Sequence, residues 1–509
     1  MKLRLPQLLV TLAMVLALSA WAVAQTLIIA QGTDAVSLDP HDVTDSPSAT
    51  VTSHIYETLF ELTPDGEIVP HLVEEYEISD DSLVFTLTLQ EGVTFHDGTP
   101  LTADIVKGSL ERFLDPANAF TFLFLLEPIQ EVNVVDDLTI ELVLDEPYAP
   151  MLAHLTHSST AIILPSAVEE FGEDFAENPV GTGPFRFESW DRGSRIDLAR
   201  YEDYWGEPGG VEGIAFLNVP ESTTRMALVE SGEAHVAVRV PPQDIQRLDA
   251  HPDLTVHNVS SLRTIYIYYN PNIEPFDDVR VRQALNYAVD NHEIAEFVLG
   301  GAVRPSDAAI APGVFGYTPV GEYEYDPERA RELLAEAGYE DGFSTTFYSP
   351  SGRYLQDIQI AEAIQSQLEA VGVNAEIETL EWSAYLELTQ QPAEENTVPM
   401  AMMGWGTVTG DADYGLFALF HTSEHVPDGS NRSFYSNPEV DSLLEQGRSN
   451  QDPDEREEIY AQILEIIHEE APWLFLHSET QLVVANDAVQ GLIIHPSERV
   501  LAYEATVGQ

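Results

Sequence analysis

The 509-residue chain contains no cysteine, which excludes disulfides, thiol catalysis, thiolate metal sites and a lipid-modified cysteine. Lysine is almost absent too: Lys2 and Lys107 are the only two. Positive charge as a whole is scarce, with 22 Lys+Arg against 86 Asp+Glu and a formal net charge of −64. Nucleic acid and anionic membrane surfaces are therefore poor partners. No long acidic block occurs; the acids are spread over helices and turns, the pattern of a solvated coat. A high-salt habitat would make such a coat tolerable by screening. Apart from a short run near the start, no segment is apolar for long enough to cross a bilayer, so no direct membrane anchor is expected.

That short run reads as an export signal. Lys2 and Arg4 precede apolar residues 8–21, and Ala22-Val23-Ala24 supplies an A-x-A site before Gln25, so residues 1–24 are expected to be removed and the mature protein to be periplasmic. An exported chain of about 485 residues without disulfides must rely on a large core, and one of this size is expected to divide into more than one domain.

Mixed α and β elements follow, without repeats. A strand is predicted at 26–31, a helix at 48–60, a strand at 83–89, a helix at about 102–113 and a strand pair within 129–144. Residues 185–190 and 195–200 flank Asp191-Arg192-Gly193-Ser194 as a hairpin. Beyond residue 222 helices and strands alternate, with helices at 278–289, 327–337, 355–370, 382–389, 440–446 and 456–470. Strands are expected at 344–348, 374–380, 398–404 and 479–485. Such alternation implies parallel sheets flanked by helices.

The stretch AMMGWGTVTGDADYGLFALF at 401–420 carries the most functional information. An apolar run ends at Gly404 and Trp405 and opens into Gly406, Thr407, Val408, Thr409 and Gly410. A buried strand that ends in an aromatic residue and a Gly/Thr loop can present a floor and hydrogen-bonding groups to a small ligand. Asp411 and Asp413 either reach that ligand or cap the following helix. His154 and His157 form an HxxH pair without a nearby third ligand, so no metal site is expected. Gly181-Thr182-Gly183 lacks the remainder of a nucleotide loop, and no nucleophile elbow is present. No cofactor is expected.

Several segments together carry a resemblance: Ser37-Leu38-Asp39-Pro40, GVTFHDGTPLTADIVKGSLERFLDP from Gly92, NPVGTGPFRFESW from Asn178, RYEDYWG from Arg200, PFDDVRVRQALNYAVD from Pro275, YDPERARELLAEAGY from Tyr325, and the MMGW segment. In this order they resemble the peptide/nickel-type (family 5) extracellular solute-binding proteins of ABC importers. With SFYSNPEVDSLL from Ser433, the 404–420 region is most similar to the glutathione-binding branch.

That resemblance implies an α/β, two-lobe periplasmic-binding-protein fold (type II), with an extra subdomain in the first lobe and two crossover segments. Lobe I would comprise 25–262 plus 479–509, with 58–166 as its smaller subdomain, and lobe II would comprise 263–478. It implies no catalysis, a peptide-like ligand trapped between the lobes, and permease subunits of an ABC importer as partners of a monomeric receptor. Peptide-binding relatives carry an aspartate three positions after the tryptophan to hold the peptide ammonium; here that position is Val408, which disfavours ordinary dipeptides. Arg353, followed by Tyr354, lies where relatives hold a peptide carboxylate, with its register shifted by a residue or two. Thr33, Asp34 and His41 fall where the family's cleft begins. The expected ligand-binding set is thus Trp405, Gly404, Gly406, Thr407, Arg353, Tyr354, Asp411, Asp413, Thr33, Asp34 and His41. Nickel chelates, opines or short sugars, a non-transport peptide sensor or chaperone, and an exported hydrolase remain as alternatives.

Overall fold

Two strands long enough to run through both halves of the molecule organise everything else. The computed structural model describes residues 26–508 except Pro208; the predicted export signal lies outside the described residues. Leu254–Tyr269 and Trp473–Asn486 pair antiparallel at the centre of an 11-stranded mixed sheet. On one side the sheet continues through Val236–Val238, Thr26–Gln31, Gly213–Asn218, Arg195–Arg200 and Phe185–Asp191. On the other it continues through Met400–Gly406, Phe343–Pro350 and Val373–Leu380, and the short Arg304–Pro305 pairs with Trp473–Asn486 as the eleventh strand. The alternation of helices and strands implied parallel sheets, and parallel pairing occurs at Phe343–Pro350 with both its neighbours and at Thr26–Gln31 with both of its own. The central pairs are antiparallel, because these strands leave one half and return to it side by side.

The register of the central pair breaks where the halves meet. Ser260 pairs with Thr480 and Thr264 with Ser478, so Ser261, Leu262 and Arg263 stand opposite Glu479 alone. A bulge of this kind bends and twists a ladder locally. Beyond it the strand is buried on both faces, as strands covered by helices on each side are. Ile265, Ile267 and Tyr269 face one core with Met400 and Met402, whereas Tyr266 and Tyr268 face another with Ala401 and Met403. Period-two alternation thus splits an unbroken apolar run between two cores, and the MAMM run reads as strand for that reason.

Residues 58–166 contain a separate antiparallel sheet in the order Val73–Ile78, Val84–Leu89, Thr139–Leu144, Ile129–Asp136. Phe85, Leu87 and Leu89 alternate inward with Ile140, Leu142 and Leu144 beneath helix Ala103–Leu114, which Thr102 caps by accepting from the Ile105 amide. Helix Ser46–Ile55, capped by Asp45, stops short of the predicted residue 60. Phe60–Leu62 pairs instead with Ile68–Pro70, so the apolar tail of that stretch is used in a strand. Gly181 explains the GTG motif: a Cβ there would meet the Ile55 carbonyl oxygen at 2.0 Å, so the glycine lets the loop pack against the helix end.

Candidate functional site

Between the two halves lies a cavity of about 660 Å³. The end of strand Met400–Gly406 forms its floor, with Met403, Gly404, Trp405 and Gly406 in the lining. Gly404 is required by contact: a Cβ would meet Ile265 at 2.5 Å and the Tyr354 ring at 2.9 Å, and the Gly404 amide donates to the Tyr354 hydroxyl at 2.9 Å. Trp405 tilts against Tyr414 with centroids 5.2 Å apart. Its indole N–H is buried and has no hydrogen-bond partner, a donor that a ligand acceptor would satisfy.

Four arginines line the cavity, and they differ in how their charge is met. Arg263 stands at the register break and donates to Glu498 through Nε and Nη2 at 2.8 Å each, and to the Gly404 carbonyl at 3.1 Å. Glu479 stands 3.7 Å from its Nε. Burial and the neighbouring Glu498 push the Glu479 carboxyl up to about 7. Burial alone would raise Glu498 as well, but Arg263 outweighs it and holds Glu498 well below the usual range. Arg263 is therefore saturated by protein carboxylates.

Arg353, Arg432 and Arg499 have no carboxylate within ion-pair distance among the described residues. Arg353 is half-buried, its guanidinium 5.0 Å from the ring centroids of both Tyr354 and Trp382, and burial lowers its pKa, with Arg263 and Arg239 adding to the effect. Rings in contact with a guanidinium orient it while leaving its N–H edges free. Arg432 reaches only the Ser430 carbonyl, at 3.4 Å, and its buried Nε has no partner. Arg499 donates to Ser497 and Ser53. Carboxylates also enter the lining: Asp45 is occupied as a helix cap, whereas Glu127, Glu424 and Asp428 are not so used. Burial raises the Glu424 pKa, and Glu127 adds to that. Unpaired guanidinium and carboxylate groups in one cavity suit a ligand carrying both charges.

Of the residues expected from the sequence, Trp405, Gly404, Gly406, Arg353 and Tyr354 line this cavity, and so does Val408. The others are placed elsewhere. Thr407 is buried behind the floor, its amide donating to the Leu262 carbonyl and its side chain against Gly415. Asp411 caps helix Ala412–Phe420 and accepts from Arg456 at 2.9 Å on both oxygens. Asp413 is fully buried against Arg448 at 2.8 Å. Thr33 lines a separate cavity of about 70 Å³. Asp34 accepts from the Trp190 indole at 3.1 Å and the Gly193 amide at 2.6 Å. His41 bonds the Ala161 carbonyl at 3.0 Å and Arg112 at 2.8 Å. Each of these six has a structural partner or lies outside the lining of this cavity. Sequence reasoning missed Arg432, Arg499, Trp382, Glu424 and the Phe120–Phe124 loop. Scarcity of cations was the one available signal, since it makes every unpaired arginine conspicuous.

Comparison with known proteins agrees with this architecture. The family model for bacterial extracellular solute-binding proteins, family 5 (middle), matches residues 67–425. The chain belongs to this family. Among curated proteins, the glutathione-binding protein GsiB of Salmonella typhimurium is 34% identical over 476 residues, 93% of each chain. Among solved structures, the ABC transporter-associated periplasmic binding protein DppA of Helicobacter pylori in complex with peptide STSA superposes with a TM-score of 0.88 at 28% identity, over 95% of this chain and 98% of that one. The oligopeptide-binding protein AppA of Bacillus subtilis in complex with a nonapeptide gives 0.85 at 25% identity, over 95% and 99%. The fold is the two-lobe binding-protein fold, and the relatives named here are binding proteins.

Proposed function

We propose that this family 5 protein is a periplasmic receptor that captures a peptide-like solute, glutathione-type or a short oligopeptide, between its lobes and delivers it to the permease subunits of an ABC importer. The observation that carries the reading is the set of unmet donors in the cavity: the Arg353 and Arg432 guanidinium groups and the Trp405 indole N–H. A ligand with carboxylate and amide acceptors satisfies all three at once. Val408 in the lining, at the position where the family resemblance leads to the expectation of an acid, favours a ligand whose ammonium is held elsewhere. The names of the GsiB and DppA relatives point the same way.

The receptor acts without catalysis, as a monomer with neither a nucleic-acid partner nor a direct membrane anchor, after an export signal is cut near Ala24. We place the lobe division at 262/263 and 478/479, with 58–166 as the subdomain of lobe I; the register break at Ser261–Arg263 supports that placement. Ligand binds the closed arrangement better than the open one and so shifts the population toward it.

Native mass spectrometry of the purified protein, then isothermal titration with glutathione, an Ala-Phe dipeptide and a nickel–histidine chelate, tests the reading. Glutathione is expected to bind well ahead of the dipeptide. Equal dipeptide affinity would remove the significance of Val408, and binding of the chelate alone would remove the peptide class.

A further inference from the structure

Two aspartates that resemble ligand contacts in the sequence are turned away from the cavity, and Asp413 is turned toward the other lobe. It lies in helix Ala412–Phe420, fully buried, with Arg448 of helix Pro438–Ser449 donating from Nε at 2.8 Å and Nη2 at 3.3 Å. Phe417 of the Asp413 helix packs on the Arg448 guanidinium at 3.0 Å, and residues 58–166 close over the ion pair from the other side. The Tyr148 hydroxyl donates to Asp413 at 3.3 Å, and the His154 Nε2 stands 3.5 Å from the same carboxylate. The Ala149 amide donates to the Arg448 carbonyl at 2.7 Å, and the Tyr148 ring lies 5.5 Å from the Arg448 guanidinium. Next in sequence, Tyr414 stacks on Phe124 with centroids 6.0 Å apart and a 19° interplanar angle, and meets Phe122 and His157.

These contacts require the lobes to be together. When the lobes part, the Asp413–Arg448 pair stays within its own lobe but loses the Tyr148 donor, the Ala149 amide and the cover that excludes water. An ion pair in a water-free site interacts more strongly than one at a surface. The groups are also linked to the cavity, since Tyr414, Phe122 and Phe124 line it directly beside Trp405. Arg448 and Asp413 are absent from that lining.

We propose that Asp413, Arg448 and Tyr148 are positioning residues that latch the closed state, setting ligand affinity without touching ligand. The proposal rests on the receptor reading and lobe division above. The apparent Kd for a ligand that binds only the closed form scales inversely with the closed population of the free protein. Weakening the latch therefore weakens binding by the factor by which it depletes closed molecules.

The absence of native cysteine makes the test clean. Cysteines introduced at exposed Glu131 and Glu439, one in each lobe, carry a dye pair, and single-molecule energy transfer gives the closed fraction with and without glutathione. Three otherwise identical chains are compared: wild type, Tyr148→Phe and Asp413→Asn. Tyr148→Phe removes one hydroxyl from an intact core and should lower the ligand-free closed fraction about threefold or more, with Asp413→Asn lowering it about tenfold and Kd rising by matching factors. Equal closed fractions in wild type and Tyr148→Phe, or a wild-type chain with no closed molecules, overturn the latch. If Asp413→Asn fails to fold, Tyr148→Phe decides. Failure of glutathione to bind wild type overturns the ligand reading instead, and the ligand-free fractions still judge the latch.

Discussion

Replacing Arg353 by methionine keeps the stem between Tyr354 and Trp382 and deletes only the charged head. In the free protein that head has two ring faces 5.0 Å away and no carboxylate partner among the described residues. Its cost is already visible as a pKa lowered by burial. Against a ligand carboxylate it would make a charge-assisted hydrogen bond worth about 1.5–3 kcal/mol, so the variant should bind glutathione about 10- to 150-fold more weakly. The assay is isothermal titration in low salt with glutathione and with glutathione amidated at its glycine carboxylate. Wild type should discriminate between the two ligands by most of that factor, and Arg353→Met should not. In the ligand-free protein the melting temperature should hold or rise, because an uncompensated, half-buried charge has been removed. Unchanged affinity, or an equal loss against both ligands, would refute the pairing of Arg353 with a carboxylate.

Val408→Asp restores an acid at the cavity wall and should tighten dipeptide binding about tenfold or more through a charged hydrogen bond to the ammonium; a dipeptide titration without gain would show that the ammonium does not reach this position. Burial lowers the pKa of His154 to about 4, with Arg448 and Arg456 acting the same way and Asp413 opposing, and Tyr148 packs against the ring. Its neutral form is favoured on closure, so closure expels a proton and affinity is lost as pH falls from the ordinary value of 6.5 toward about 4. The loss is about 30-fold at pH 5 relative to pH 8 if the ring is solvated in the open state. His154→Gln should flatten that profile by one proton, and identical profiles would sink the argument. With 86 acids against 22 cations, thermal stability should climb from low to molar salt as repulsion is screened; a melting temperature indifferent to salt would detach the acidic coat from stability.

The two-lobe fold was legible through the family resemblance, while the residues alone pointed to a mixed α/β chain of more than one domain. The MAMMGWG run reads as a strand, its four consecutive buried side chains divide between two cores, and Trp405 at its end lines the cavity. The aspartates at 411 and 413 were not legible. An acidic residue two positions from another at a helix start looks alike whether it faces a ligand, a cap or a distant arginine. Only the arrival of Arg456 and Arg448, from 45 and 35 residues away, separates these cases. The partners of Asp34 and His41 were not legible for the same reason: Trp190 and Arg112 lie far along the chain. Arg432 was missed because its surroundings read as an ordinary polar turn, and its unpaired Nε is a property of three-dimensional packing alone.

The central strands also have a consequence for how the molecule is built after export. Leu254–Tyr269 carries the chain out of the first lobe and Trp473–Asn486 brings it back as the neighbouring strand. The second lobe is thus an insertion whose ends lie side by side, and every strand of its sheet except the returning one emerges before residue 407. The first lobe waits longer: Val236–Val238 cannot pair on its outer side until Val483–Ala485 has emerged. Assembly of the discontinuous lobe is therefore the last event, and a chain cut short before residue 473 would leave that edge open while most of the inserted lobe was already in place.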